Sequence, residues 1–552
     1  MESTLTSRLS TCFLAAVAAL AGCGGAQEAK PAAPAPAPAP ESEDQAIELA
    51  PVELKGNQFQ PEALGRPGML FVEGKKKTTV DKQRAALKKA KPEQKETEAQ
   101  ILATLAYQAG KSEADQGKAQ ALLDDARSAL RDARNTSKGQ TQLVTLRMLG
   151  TLELTFGDYA AASEVYQEIV TRFPEGDHIT AARTWLAFAL LRQGKSAEAL
   201  AAVQGLSPAP EQPELSYVIA WAKWRAGDGP GAAAAIAIAA RGWKAPGFKK
   251  QIDRDTALIL ARSGAPVEEA IKVVVDANQN KRDETYKGLY DLHRAFAIAG
   301  RFADAIVILD KAAERVGEKV PVQDLASFRV QQADYALRAS GDPAKVATYQ
   351  EQALQVFKKC GDKCTKGEHE SGATPTRNYA TFFDTIYRTA RDERFYAPAQ
   401  KLYELYLALP DRADAAETQK FFEDMKTAKE AADDHSGKHD KGFIGTLVEI
   451  RGAQVLTCYE AALAADPATS GPLALNLEVA ATGEVKGVAT EPAAGQAGMA
   501  GVAGCVAERA KGWTFPSRTK PGVTRIAVKY VLGPASAASA PEAPAPAAPP
   551  SK

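Results

Sequence analysis

Residues 143–176 read LVTLRMLGTLELTFGDYAAASEVYQEIVTRFPEG, and the spacing of their apolar groups decides the fold. Leu146, Leu149 and Leu152 fall on one face of a first helix, with Gly150 a small residue where a partner helix approaches. Gly157-Asp158 supplies a tight turn. Tyr159, Ala162, Tyr166 and Ile169 then recur at spacings of three and four, a second amphipathic helix that Pro174 stops. A hairpin of this kind carries apolar surface on both sides, so it has to stack on others of its own type.

The rest of the chain supplies them. Gly157, Gly194, Gly227, Gly264, Gly300 and Gly341 stand 37, 33, 37, 36 and 41 residues apart. Gly157-Asp158-Tyr159 with Ala162 is echoed by Gly194-Lys195 with Ala199, by Gly227-Asp228 with Ala232, and by Gly300-Arg301-Phe302 with Ala305. Phe395, Tyr396 and Ala399, then Tyr403, Tyr406 and Pro410, make a divergent last unit. Over residues 93–430 this pattern resembles the tetratricopeptide repeat (TPR) family, whose period is about 34 residues. The resemblance implies a mainly α chain, a TPR-like α-solenoid with protein partners. The units at Arg254 and Ser327 lack the aromatic after the glycine and read as generic helical hairpins. The nine residues Ala232 to Ala240 (AAAAIAIAA) are too few to span a bilayer and read as a packed second helix.

At 552 residues the chain exceeds what one core organises, so at least two folded units are expected. Lysine plus arginine equals aspartate plus glutamate at 68 each, which leaves no global charge to favour nucleic acid. Five histidines, no Gly-rich phosphate loop, no nucleophile elbow and no zinc motif argue against an enzyme, and no cofactor or metal is expected. His435 and His439, four apart beside Asp434, are a local metal candidate, and a solvated linker is the plainer reading.

Near the N-terminus Arg8 precedes an apolar run from Phe13 to Ala21, and Leu20-Ala21-Gly22-Cys23 resembles the lipobox of bacterial lipoproteins. The resemblance implies that residues 1–22 are a signal peptide and that Cys23 is the lipidated residue. Gly24 after it, rather than aspartate, points to the outer membrane, on its periplasmic side. Residues 23–50 are Pro/Ala-rich and read as a tether. Residues 51–92 read as an irregular stretch, and its basic run from Lys75 to Lys91 as either a solvated helix face or a contact with anionic lipid or an acidic partner. With Cys12 in the signal and Cys23 acylated, Cys360, Cys364, Cys458 and Cys505 remain, and in an oxidising compartment they suggest two disulfides among three connectivities. Cys360 and Cys364 read as a local disulfide in a loop (residues 361–374) that interrupts the solenoid. A metal knuckle with His369, or a redox pair, is the alternative.

After a polar linker at residues 431–441, residues 442–533 read as a small α+β domain of order α-β-β-α-β, followed by a disordered Ala/Pro tail at 534–552. Its helices carry Cys458 and Cys505 and lie side by side on one sheet face, which pairs those two cysteines. Cys458-Tyr459-Glu460, Gly483-Glu484-Val485, Cys505-Val506 and Trp513-Thr514-Phe515-Pro516 together resemble the AgmX/PglI C-terminal domain, itself similar to the C-terminal domain of TonB energy transducers. That domain occurs mainly in myxobacterial envelope proteins, gliding machinery included. Together with the lipobox, the tether and the repeats, it implies a resemblance to the TPR lipoproteins of the Glt gliding complex. The expected function is a non-catalytic scaffold whose partners are envelope proteins. A lipoprotein serving outer-membrane assembly or organising cell-wall enzymes is the alternative. Trp185, Trp221 and Trp224 are the candidate partner anchors. Tyr159 and Tyr166 fall on the repeat pattern and read as core.

Overall fold

The structure, a computed structural model, describes residues 44–535 apart from 58, 62–68, 73–77, 114, 137, 245–247, 280, 317–321, 362–363, 391, 411, 431–437, 493–496 and 519–520. Cys23, His435, the signal peptide, most of the expected tether and nearly all of the tail lie outside the described residues. The chain divides into two compact units. One comprises residues 58–281 with 464–467; the other comprises 1–57, 282–463 and 468–552.

The first unit is a run of helices: α1 (Val80–Lys89), α2 (Pro92–Ser112), α3 (Gln116–Arg134), α4 (Gly139–Phe156), α5 (Tyr159–Arg172), α6 (His178–Arg192), α7 (Ser196–Ala202), α8 (Pro213–Arg225), α9 (Gly229–Gly242), α10 (Lys249–Arg262) and α11 (Val267–Ala277). Consecutive helices pack on one another as antiparallel pairs. The turn glycines work as the sequence requires. Gly157, Gly194, Gly227, Gly264, Gly300 and Gly341 all adopt φ between 65° and 84°, the left-handed conformation that ends a helix and that only glycine takes without strain. Where aspartate follows, it starts the next helix: Asp158 accepts from the Ala161 amide at 3.1 Å, and Asp228 from that of Gly231 at 2.8 Å. Gly-Asp is therefore a stop and a start in two residues. The basic stretch does not stay irregular, because α1 begins on a Thr79 cap and buries Gln83.

The second unit begins with more hairpins: α12 (Arg282–Ile298), α13 (Phe302–Val316), α14 (Val322–Ser340), α15 (Pro343–Cys360), α16 (Lys366–Ala390), α17 (Tyr396–Leu407) and α18 (Ala415–Glu430). The expected interruption at 361–374 is much shorter than the sequence suggested. Helix α16 starts at Lys366 and carries Pro375 within it, and its buried face includes Ala373 and Thr376. Helices α19 (Lys441–Ala465) and α20 (Ala497–Ala510) then combine with strands β3 (Gly471–Ala480), β4 (Val485–Pro492) and β5 (Val523–Pro534) in the expected α-β-β-α-β order.

Two further strands alter that picture. Residues 45–56, expected in the tether and the irregular stretch, form β1 (Gln45–Glu48) and β2 (Val52–Gly56), both parallel to β5. The sheet runs β1-β5-β3-β4, with β2 also beside β5. The outer edge of β5 is thus covered by the chain's own beginning. Ile47 is 2% exposed in the core, and Leu49 and Leu54 pack beside Gly445 and Gly452 of α19. Nor does the linker separate two cores. One apolar cluster joins Ile47, Phe382, Phe395 and Tyr403 to Phe443, Tyr459, Leu475 and Tyr530. The Phe443 ring meets those of Phe382 and Phe395 at 5.4 and 5.7 Å. The last helical hairpins and the sheet form a single body.

Candidate functional site

In the first unit, α4, α6 and α8 are the leading helices of successive hairpins, and together they form one face. A cavity of 420 Å³ opens there. Arg147 on α4, Tyr166 on α5, His178 and Trp185 on α6, and Glu211 and Glu214 at the start of α8 contribute to its lining. Glycine 150 explains why Tyr166 reaches it: a Cβ at that position would lie 2.8 Å from the Tyr166 ring, so only glycine lets the ring cross the helix. Burial pushes the Tyr166 phenol well above its ordinary pKa, so it stays a neutral hydrogen-bonding group. Arg147 makes no ion pair among the described residues, and both Glu211 and Glu214 are exposed. The cavity offers an unpaired cation, a phenol and an indole beside three carboxylates, those of Asp177, Glu211 and Glu214, a mixture suited to a peptide.

The C-terminal ends of α6, α8 and α10 hold a second feature, residues 59–61 of the chain. Arg225 of α8 donates from Nη2 to the Phe59 carbonyl at 2.7 Å and from Nη1 to the Leu191 carbonyl at 2.7 Å. Arg192 of α6 donates from Nη1 to the Pro61 carbonyl at 3.0 Å. The Phe59 ring faces Trp224 at 6.2 Å and lies under the Arg262 guanidinium at 4.5 Å. Neither Arg192 nor Arg225 pairs with a carboxylate among the described residues, and the Nε of each is buried without a hydrogen-bond partner. Burial, together with the nearby Arg192 charge, pushes the Arg225 guanidinium down to about 10. The sequence carried a signal for this row. Arg192, Arg225 and Arg262 each stand two residues before a turn glycine, in three successive units.

The three candidate tryptophans fall differently. Trp185 is 8% exposed and lines the cavity. Trp221 is 1% exposed and packs edge-on against Trp224 and Tyr217, which makes it core and no free anchor. Trp224 is engaged by the chain's own Phe59. Tyr159, read as core, is only half-buried, with the Arg192 guanidinium 4.7 Å over its ring.

In the second unit Cys360 and Cys364 lie at disulfide distance, with Cα atoms 5.7 Å apart, as do Cys458 and Cys505 at 5.8 Å. His439 is not in a solvated linker. It is buried, with Nε2 donating to the Pro516 carbonyl at 2.6 Å and Nδ1 accepting from the Thr524 hydroxyl at 2.9 Å. With both ring nitrogens used, it has no lone pair left for a metal. Among the described residues no group of three or more His, Cys, Asp or Glu side chains converges as metal ligands would. No helix there is long and apolar enough to cross a membrane.

The class the geometry defines is a helical-repeat protein with a small mixed sheet. No protein family and no curated protein matches the chain. Among solved structures, a tetratricopeptide repeat protein from Parabacteroides merdae ATCC 43184 is similar at 13% identity and a TM-score of 0.24, over 51% of this chain and 98% of that one. A likeness of that size adds no argument, and the repeat reading stands on the hairpins themselves.

Proposed function

We propose that this protein is a non-catalytic, lipid-anchored scaffold that holds other proteins together in a bacterial cell-envelope complex, with a gliding-motility apparatus as its setting. The observation that carries the reading is the face of α4, α6 and α8. It has a cavity of 420 Å³ lined by side chains of these helices, and the C-terminal ends of α6 and α8 already hold residues 59–61 through their backbone carbonyls. Stacked hairpins provide such extended binding faces as a consequence of their construction. Cys23 in its lipobox and the AgmX/PglI-like signature at residues 458–516 support the envelope and gliding parts of the proposal. Acylated at Cys23, the chain sits on the periplasmic side of the outer membrane.

A photo-crosslinking amino acid at Trp185, in cells, tests the scaffold reading. Capture of specific envelope proteins is expected, and an absence of any crosslinked partner would remove it. Deletion of the protein should impair single-cell gliding and mislocalise other members of the apparatus; intact gliding would sink that setting. Capture of barrel-assembly factors or cell-wall enzymes would transfer the scaffold to those systems instead. Substitution Cys23→Ser should release the protein from the membrane fraction.

A further inference from the structure

Strands β1 and β2 run parallel to β5, so this segment and β5 enter and leave the sheet at the same ends. Gln45 lies opposite Thr524 and Glu48 opposite Ala527, while Val52 lies opposite Tyr530 and Gly56 opposite Pro534. The chain towards Cys23 therefore departs at one end of the ladder, beside Val523, and the chain after β5 departs at the other, beside Gly56. A pull between those two exits slides β1 and β2 along β5, so the bonds of the ladder are loaded together and none opens alone. Contacts around the ladder resist the same slide. Asp44 accepts from the Val523 amide at 3.1 Å at one end, and the Gly56 carbonyl accepts from the Ala535 amide at 2.9 Å at the other. The Asn57 amide donates to Glu460 Oε1 at 3.2 Å, Gln45 holds both backbone groups of His439, and Ile47 is buried in the core. Gly56 locks the register, because a Cβ in its place would lie 2.7 Å from the Tyr459 ring.

The same topology takes the helices out of the path of the force. Residues 58–522 are a loop that the ladder closes at its base. A force that enters at Asp44 and leaves at Ala535 crosses the ladder and does not pass through the helical hairpins. Hairpins that stack only on their neighbours come apart one at a time when stretched along the chain, so without the ladder they would open first. We infer that residues 44–57 and β5 form a shear joint. It carries tension between the N-terminal attachment and whatever holds the sheet or the tail, and it keeps the hairpins folded under that tension. The inference rests on the anchored-scaffold reading, because attachment at Cys23 is what puts this end under load. Membrane release of Cys23→Ser tests that reading, and the test below involves no membrane, so either can fail alone.

The test is single-molecule force spectroscopy on the full chain, with DNA handles joined to azide-bearing residues. Handles at positions 42 and 536 load the ladder in shear. Handles at positions 42 and 521 pull from one end of it and open it bond by bond. Forced opening reports the unfolding barrier, so the direction of pulling alone should separate the two. The first rupture in shear should need at least twice the force of the first rupture in the other geometry, and the hairpins should extend only after it, at lower force. Ile47→Ala should lower the shear force. Because the two geometries are compared on the unaltered chain, a poorly folding variant leaves the test intact, and Gln45→Ala then takes its place. Equal forces in the two geometries would overturn the inference. So would hairpins that extend before the first rupture in shear, or a shear force that both substitutions leave unchanged.

Discussion

The Gln45 side chain closes a two-way clamp on the backbone of His439, 394 positions later. Its Nε2 donates to the His439 carbonyl at 2.8 Å, while its Oε1 accepts from the His439 amide at 2.9 Å. The clamp fixes β1 at the edge of β5, where Asp44 accepts from the Val523 amide at 3.1 Å and Ile47 enters the core. Ile47→Ala should therefore cost about 3 kcal/mol, the usual range for truncating a fully buried branched side chain. Amide hydrogen exchange across residues 523–534 is the readout. Protection there should drop along with global stability, and unchanged exchange would mean that β1 contributes nothing to the sheet.

How much of this was legible in the sequence depends on the length of each pattern. The turn glycines stood out because a left-handed residue at each hairpin leaves a mark that repeats. The α-β-β-α-β order was readable because β3 alternates over ten residues, burying Leu473, Leu475, Leu477 and Val479 in turn. Strands β1 and β2 have four and five residues, too few to show a period, and their partner lies more than 450 positions away. Separations of 85 and 77 positions likewise hid the role of His439, since Thr524 and Pro516 reach it only when β5 is in place. In the candidate site, the arginine row could have been found by aligning the hairpins on their glycines. That Phe59 would cover Trp224 could not, because no local pattern links a short extended segment to a helix end.

The two cysteine pairs should differ in their worth. In the chain-entropy account, the 47-residue separation of Cys458 and Cys505 gives a bond there about 4 kcal/mol, and the separation of four between Cys360 and Cys364 gives about 2 kcal/mol. Cys458→Ser should thus lower the stability of the second unit more than Cys360→Ser does, measured by urea denaturation without reductant. Peptide mass mapping under non-reducing conditions should join the peptides of Cys458 and Cys505. Free thiols at those positions would refute the pairing.

Acid should weaken the second unit through its buried histidines. Burial pushes His293 down to about 4, with its Nε2 held by Gln331 Oε1 at 2.9 Å, and also lowers His439. A folded-state pKa below the unfolded value of about 6.5 means that the unfolded chain takes up the proton first. Stability is then full above about pH 6.5 and is lost as pH falls toward 4, by about 3 kcal/mol for His293. Replacing it, as His293→Leu, should remove that share of the pH dependence. Pulse proteolysis in urea at pH 7 and pH 4.5 measures it, and parallel pH profiles for the variant and the unaltered chain would disprove the assignment.

The hairpin at residues 143–176 can be tested at the contact that defines it. Tyr166 is 3% exposed and lies on Gly150, so a larger residue at 150 has to displace a buried ring. Overpacking of this kind costs about 2 kcal/mol, and Gly150→Val should lower the urea midpoint of the first unit accordingly. The two residues are in direct contact, so their effects should not add. In a Tyr166→Ala background the space left by the ring accepts the valine, and Gly150→Val should then cost less than half as much. Tyr166 also lines the cavity, so the same displacement should reduce crosslinking from Trp185 even where the unit stays folded. A valine that costs the same with and without the tyrosine would show that the ring does not rest on this glycine. The close approach that shapes both the hairpin and the cavity wall would then have to be sought elsewhere.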